Sequence, residues 1–193
     1  MVKTETLFIK ASREEEQIVV SFLLKEFGTK VMEIMNDKSI FIKQRGVKEV
    51  YIVNEELKDT IEFIRNSSLD LTKNIFLAGY PIGTIHEKQF QLEVTGGFYF
   101  KKYMEKRIIV KTQQFLYGKD IVVANVKEYT LPFKKGNWLA VYGKGKKDSE
   151  LFYGVGKALV GSNELSSAPP NTVIIKGYKN RPFDLGWYLR FEK

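Results

Sequence analysis

The sequence predicts an α+β protein in two parts: an N-terminal antiparallel α/β domain over residues 1–97, then a small β-barrel-like domain over residues 98–193. Three observations carry this. Helical and strand periodicities alternate up to residue 95, and short, glycine-punctuated strands dominate beyond it. Thr95-Gly96-Gly97 reads as a hinge at the change. The charge shifts as well: residues 1–100 hold 13 Lys+Arg against 15 Asp+Glu, whereas residues 101–193 hold 18 against 8. A chain of 193 residues with 44% apolar content can fill two cores of this size.

In chain order, Ser12-Arg13-Glu14-Glu15 has the form of a capping box, so a helix starts there. Ile18, Val19, Phe22, Leu23 and Phe27 follow on one helical face, and Gly28 ends it. Val31–Met35, Ser39–Lys43 and Val47–Val53 are expected strands, separated by turns at Asn36-Asp37 and Arg45-Gly46. Asn54 caps a second helix from Glu55 to about Arg65, with Leu57, Ile61 and Ile64 at helical spacing. Strands are expected again at Ile75–Tyr80, Gly83–His86 and Gln89–Thr95, then one or two helical turns in Phe98–Met104. The second half is expected to form strands at Arg107–Lys111, Trp138–Tyr142, Leu151–Leu159, Thr172–Lys176 and Trp187–Phe191. Ala168-Pro169-Pro170-Asn171 is a rigid turn before one of them.

Composition narrows the chemistry. Zero cysteines exclude disulfides, thiolate zinc and a Cys nucleophile. The one histidine, His86, reads as an exposed strand-end residue, and no Gly-x-Ser-x-Gly surrounds any serine. No clustered Asp/Glu spacing supports a metal site. No catalytic residue, metal or cofactor is therefore expected. The polar start and the lack of a ~20-residue apolar run predict a soluble, cytoplasmic protein with no membrane partner. Gly154-Val155-Gly156-Lys157-Ala158 lacks the first glycine and the Ser/Thr of a phosphate loop, so it reads as a strand needing close backbone packing.

The basic residues of the second half gather at turns. Lys134 and Lys135 sit in one turn signal, and Lys144, Lys146 and Lys147 sit in another. Lys176, Lys179 and Arg181 crowd the stretch before the last expected strand, and Lys157 projects from the glycine-rich one. Loops of one small β domain can converge into a stripe that tracks phosphates. Tyr142, Tyr153, Tyr178 and Trp138 lie beside these cations as candidate base stackers, although Trp138 starts an apolar strand and suits a core.

Phe115-Leu116-Tyr117-Gly118-Lys119-Asp120, Lys135-Gly136 and Leu151-Phe152-Tyr153-Gly154-Val155-Gly156 together resemble a PUA domain, a small RNA-binding β-barrel. Asp184-Leu185-Gly186-Trp187-Tyr188-Leu189-Arg190 fits its last strand. With Gly83-Thr84 and the stretch Lys88–Thr95 leading into it, the chain is similar to the Nip-seven family of large-ribosomal-subunit biogenesis factors. That resemblance implies a non-catalytic RNA-binding factor for pre-rRNA processing and large-subunit assembly. It implies basic PUA side chains acting on U- or AU-rich single strands, and residues 1–97 meeting other assembly or RNA-processing proteins. A eukaryotic source would place it in the nucleus or nucleolus. Carried over by position, the RNA-binding candidates are Lys157, Lys176, Lys179 and Arg181. Asn163–Ala168 departs from the pattern by offering one acid and no base, which shifts part of the expected surface to Lys144, Lys146 and Lys147.

Two other readings stand beside it. One is an RNA-modifying enzyme, of pseudouridine synthase or methyltransferase type, with a PUA targeting domain. The other is a protein-interaction module whose basic face meets acidic partners.

Overall fold

The computed structural model describes residues 7–66, 78–145, 149–179 and 181–190. By its internal contacts the chain divides into two compact units, Met1–Gly96 and Gly97–Lys193.

The first unit is a five-stranded antiparallel meander: Leu7–Lys10 (β1), Lys38–Arg45 (β2), Val47–Asn54 (β3), Tyr80–His86 (β4) and Gln89–Leu92 (β5), hydrogen-bonded in sequence order. Successive β3 side chains point to opposite faces, and different helices cover the two. Arg13–Phe27 (α1) lies on the face bearing Lys48 and Val50, joined there by the Lys48–Glu15 ion pair at 2.7 Å and by Phe22 against Phe90. Glu55–Asn66 (α3) covers the other face, where Ile61 and Leu57 pack with Phe8, Phe41, Tyr51 and Val53. Both helices start where side chains can satisfy their free N–H groups. Ser12 Oγ accepts from Glu15 N–H at 3.3 Å while Glu15 accepts from Ser12 N–H at 2.9 Å. Asn54 Oδ1 accepts from Leu57 N–H at 2.9 Å.

Val31–Met35 is a helix (α2), not the expected strand. Val31 and Met35 are the buried residues, and their spacing of four is one helical turn; a strand would have put Glu33 on their face. The strand expected over Gln89–Thr95 stops at Leu92, and a helix, Val94–Phe100 (α4), takes over. The expected Ile75–Tyr80 strand falls largely outside the described residues. The glycines read as a hinge lie inside α4, and their role is close packing. A Cβ on Gly96 would lie 2.1 Å from the Ile82 carbonyl oxygen, and one on Gly97 would lie 2.1 Å from Val155 Cγ1.

The second unit is a small, glycine-punctuated β fold. A four-stranded sheet has the order β10-β9-β6-β8, formed by Glu150–Lys157 (β10), Trp138–Lys144 (β9), Arg107–Val110 (β6) and Val126–Tyr129 (β8). β6 and β9 run parallel and the other neighbours antiparallel. A second ladder pairs Val173–Ile175 (β11) with Ile121–Val122 (β7). Bridges Gly154↔Asp184 and Ala158↔Ile175 tie β10 to the chain beyond it, closing the unit around Ile108, Phe115, Ile121, Leu139, Val141, Ile174 and Ile175. Gly154-Val155-Gly156 is strand, as its glycines require: a Cβ on Gly154 would lie 2.1 Å from the Phe183 carbonyl oxygen.

The expected strand at Trp187–Phe191 is instead a short helix, Gly186–Arg190 (α5); Phe191 lies outside the described residues. Trp187 N–H donates to the Asp184 carbonyl at 3.1 Å, starting a turn that aromatic strand propensity does not anticipate. Among the described residues no helix is long and apolar enough to cross a membrane.

Candidate nucleic-acid interface

The cations of the second unit are placed by β10 and by the ladder that closes on it. The antiparallel bridge between Ala158 and Ile175 makes Lys157 and Lys176 direct cross-strand neighbours, both exposed. The turn carrying Lys134 and Lys135 docks on the same strand end. Its Gly136 N–H donates to the Ala158 carbonyl at 2.7 Å, and Ala158 N–H donates to the Asn137 carbonyl at 2.8 Å. Asn137 Oδ1 shapes the turn by accepting from Lys134 N–H at 2.9 Å. A Cβ on Gly136 would meet the Lys157 side chain at 3.9 Å.

On the other side of Lys176 the chain passes over the 3-10 turn Gln114–Tyr117. Gly118 ends that turn in the left-handed region at φ 70, and a Cβ there would lie 3.1 Å from Lys179 Cα. Asp120 fixes the loop: Oδ1 accepts from Gly177 N–H at 2.8 Å and Oδ2 accepts from Lys176 Nζ at 2.9 Å. Arg181 lies over the Tyr178 ring at 5.4 Å, and Tyr178 is edge-on to Phe183. The backbone bonds and the Ala158–Ile175 bridge bring the Lys134-Lys135 turn, Lys157 and Lys176 to one strand end, and Lys179 and Arg181 follow Lys176 in sequence, a candidate edge for an anion.

Lys144 is not on it. It pairs with Glu150 at the far end of β9, roughly 20 Å from Trp138 at about 3.3 Å per residue. Lys146 and Lys147 lie outside the described residues. The expected shift of the surface toward these lysines therefore has no support at Lys144, which the strand holds away from the other candidates.

The aromatic expectation divides. Trp138, Tyr142 and Tyr153 are buried and belong to packing. Tyr153 joins the core with Leu139 and Val141, whereas Trp138 and Tyr142 alternate with those two along β9 and pack on its other face against Phe183 and Phe152. Burial pushes the Tyr142 hydroxyl upward, with Arg107 opposing. Tyr178 is exposed, and so are two tyrosines the sequence reading passed over, Tyr117 and Tyr188. Lys119, exposed next to Gly118 and with its backbone against Gly177, stands beside the same loop and is a further candidate. Its signal was the Tyr-Gly-Lys-Asp run, which combines a left-handed turn with a cation. Among the described residues no group of three or more His, Cys, Asp or Glu could hold a metal ion.

Known folds resemble this chain along nearly its whole length. A hypothetical protein of Pyrococcus horikoshii superposes with a TM-score of 0.59 at 12% identity, covering 95% of this chain and 99% of that one. A PUA-domain protein of Aeropyrum pernix gives 0.57 at 13% identity, with 95% and 90% covered. One from Thermoplasma acidophilum gives 0.55 at 13% identity, with 90% and 94% covered. A comparison with curated proteins returned no match. At the level of families, residues 9–94 match the NIP7/UPF0113 pre-PUA domain and residues 106–193 match the UPF0113 PUA domain. With both domains present in that order, the chain belongs to the NIP7/UPF0113 family.

Proposed function

We propose that this protein is a non-catalytic RNA-binding factor that holds U- or AU-rich single strands on the basic edge of its PUA domain during pre-rRNA processing and large-subunit assembly. In this reading residues 1–97 form the docking domain for other assembly proteins. The protein works in the cytoplasm, or in the nucleus or nucleolus of a eukaryotic source. Membership in a family built around a PUA domain points to RNA.

One observation carries the rest: Lys157 and Lys176 face each other across a strand pair. Like charges directly opposite are destabilising; Asp120 meets Lys176 in the free protein, and a phosphate lying over the pair would offset both charges. Lys134 and Lys135 extend the edge on one side and Lys179 and Arg181 on the other, giving several cations that can neutralise phosphates.

The test is filter binding of the full chain to a short U-rich strand across a salt series. Log K should fall linearly with log salt, by about 0.7 for each phosphate neutralised. No retention at low salt would overturn the reading. Incubating ribosomal RNA with the protein and finding new pseudouridine or methyl groups would instead favour an enzyme.

A further inference from the structure

We propose that the Asp184–Arg190 pair is a positioning device that sets the geometry of the basic edge, an inference that rests on the RNA-binding reading above. Asp184 is 1% exposed and held against β10, where its neighbour Phe183 accepts from Val155 N–H at 2.8 Å and Leu185 N–H donates to Tyr153. From that anchor Asp184 takes the Arg190 guanidinium with both oxygens, at 3.0 Å from Nη1 and 3.1 Å from Nη2.

The same two nitrogens then reach outward. Nη1 donates to the Leu116 carbonyl in the 3-10 turn, and Nη2 donates to the Tyr178 carbonyl at 3.4 Å. Leu116 lies two residues before Gly118, against which Lys179 rests, and Tyr178 lies between Lys176 and Lys179. One planar fork thus spans three chain segments: the Tyr178 loop carries the edge, and the Leu116 turn leads to Gly118, on which that loop rests.

A lysine ammonium would keep the charge but could not reproduce a bidentate grip while donating to two carbonyls in fixed directions. Taking such a pair out of water is costly, and apolar replacements are often as stable. Its presence at this junction is accounted for by the spacing it imposes on the Leu116 turn and the Tyr178 loop.

The test uses Arg190→Lys in the full chain, with thermal melting, amide hydrogen exchange over residues 176–179, and U-rich RNA affinity across salt. The variant is expected to stay folded, to exchange its Gly177 to Lys179 amides about tenfold faster, and to bind RNA about tenfold more weakly. Its salt slope should shrink by more than the ~0.7 of a single phosphate, although no charge has been removed. Wild-type exchange and an unchanged slope, even with a lower melting point, would overturn the proposal. If Arg190→Lys fails to fold, Asp184→Asn, which keeps one carbonyl oxygen for the guanidinium, is judged by the same exchange and slope. If wild-type protein binds no RNA, the RNA reading fails, and exchange alone still decides whether the pair orders the loop.

Discussion

Lys176 Nζ lies 2.9 Å from Asp120 Oδ2, across 56 residues of sequence. The protein thus supplies its own carboxylate to a cation expected to meet phosphate, while the other carboxylate oxygen holds the Gly177 N–H at 2.8 Å. Asp120→Asn would keep an oxygen for Gly177 and remove the charge facing Lys176. RNA affinity is expected to rise several-fold, and the salt slope to steepen by about 0.7, as one more phosphate is neutralised. Weaker binding in the salt series would show that Asp120 matters chiefly for holding the loop.

The strand register separates the lysines into two groups, and charge removal should too. Replacing Lys157 and Lys176 together by Gln is expected to lower affinity tenfold or more and to reduce the salt slope by about 1.4. Lys144→Gln, at the other end of β9, should change the slope little. Equal losses from both variants would mean that RNA follows a different path over the domain.

Glu93 offers a pH test of the first unit. Burial, together with the neighbouring Glu49 carboxylate, pushes its carboxyl up to about 7 from an ordinary 4.5. Glu49 itself accepts from the Tyr51 hydroxyl at 2.8 Å and lies 3.9 Å from Lys43 Nζ. Because the folded state holds the Glu93 proton more tightly than the unfolded chain, its stabilising contribution is full below the ordinary pKa. That contribution is lost as pH rises through about 7. Allowing for partial exposure, the loss is on the order of 2–3 kcal/mol. Glu93→Gln should melt close to wild type at about pH 4.5 and above it at about pH 8. Parallel pH profiles from calorimetry would contradict this.

Gly96 is expected to tolerate no side chain. An alanine Cβ would fall 2.1 Å from the Ile82 carbonyl oxygen, a backbone atom of the β4 strand that cannot swing aside. Gly96→Ala should cost about 2–3 kcal/mol in denaturant unfolding. A hinge role would instead leave stability nearly unchanged.

The elements legible in the sequence are those whose signals are local. Ser12 and Glu15 lie three residues apart and make their reciprocal bonds as the motif requires, so α1 could be read directly. Val31–Met35 misled because five residues rich in β-branched and apolar types fit either period, and only the burial of Val31 with Met35 decides. α5 misled because its start depends on Asp184, which β10 holds from 30 residues away. The basic character of the candidate surface was legible from charge alone, but its geometry was not. Lys157 and Lys176 meet through a bridge, Asp120 reaches Lys176 across 56 residues, and the burial of Tyr153 in the core and of Tyr142 against Phe152 depends on contacts from other strands.

The parallel pairing of β6 with β9 has a consequence for the order of events in folding. The first unit's meander joins each strand to the next in sequence, so its ladders close over short loops wherever the turn is tight. In the second unit Arg107 must find Ala140 across 33 residues of chain, and Gly154 must receive Asp184 from 30 residues away. Closing such long loops is entropically slow. The basic residues from Lys134 to Arg181 are brought together by such long-range contacts, so on a newly made chain they should come together more slowly than the tight-turned ladders of the first unit form.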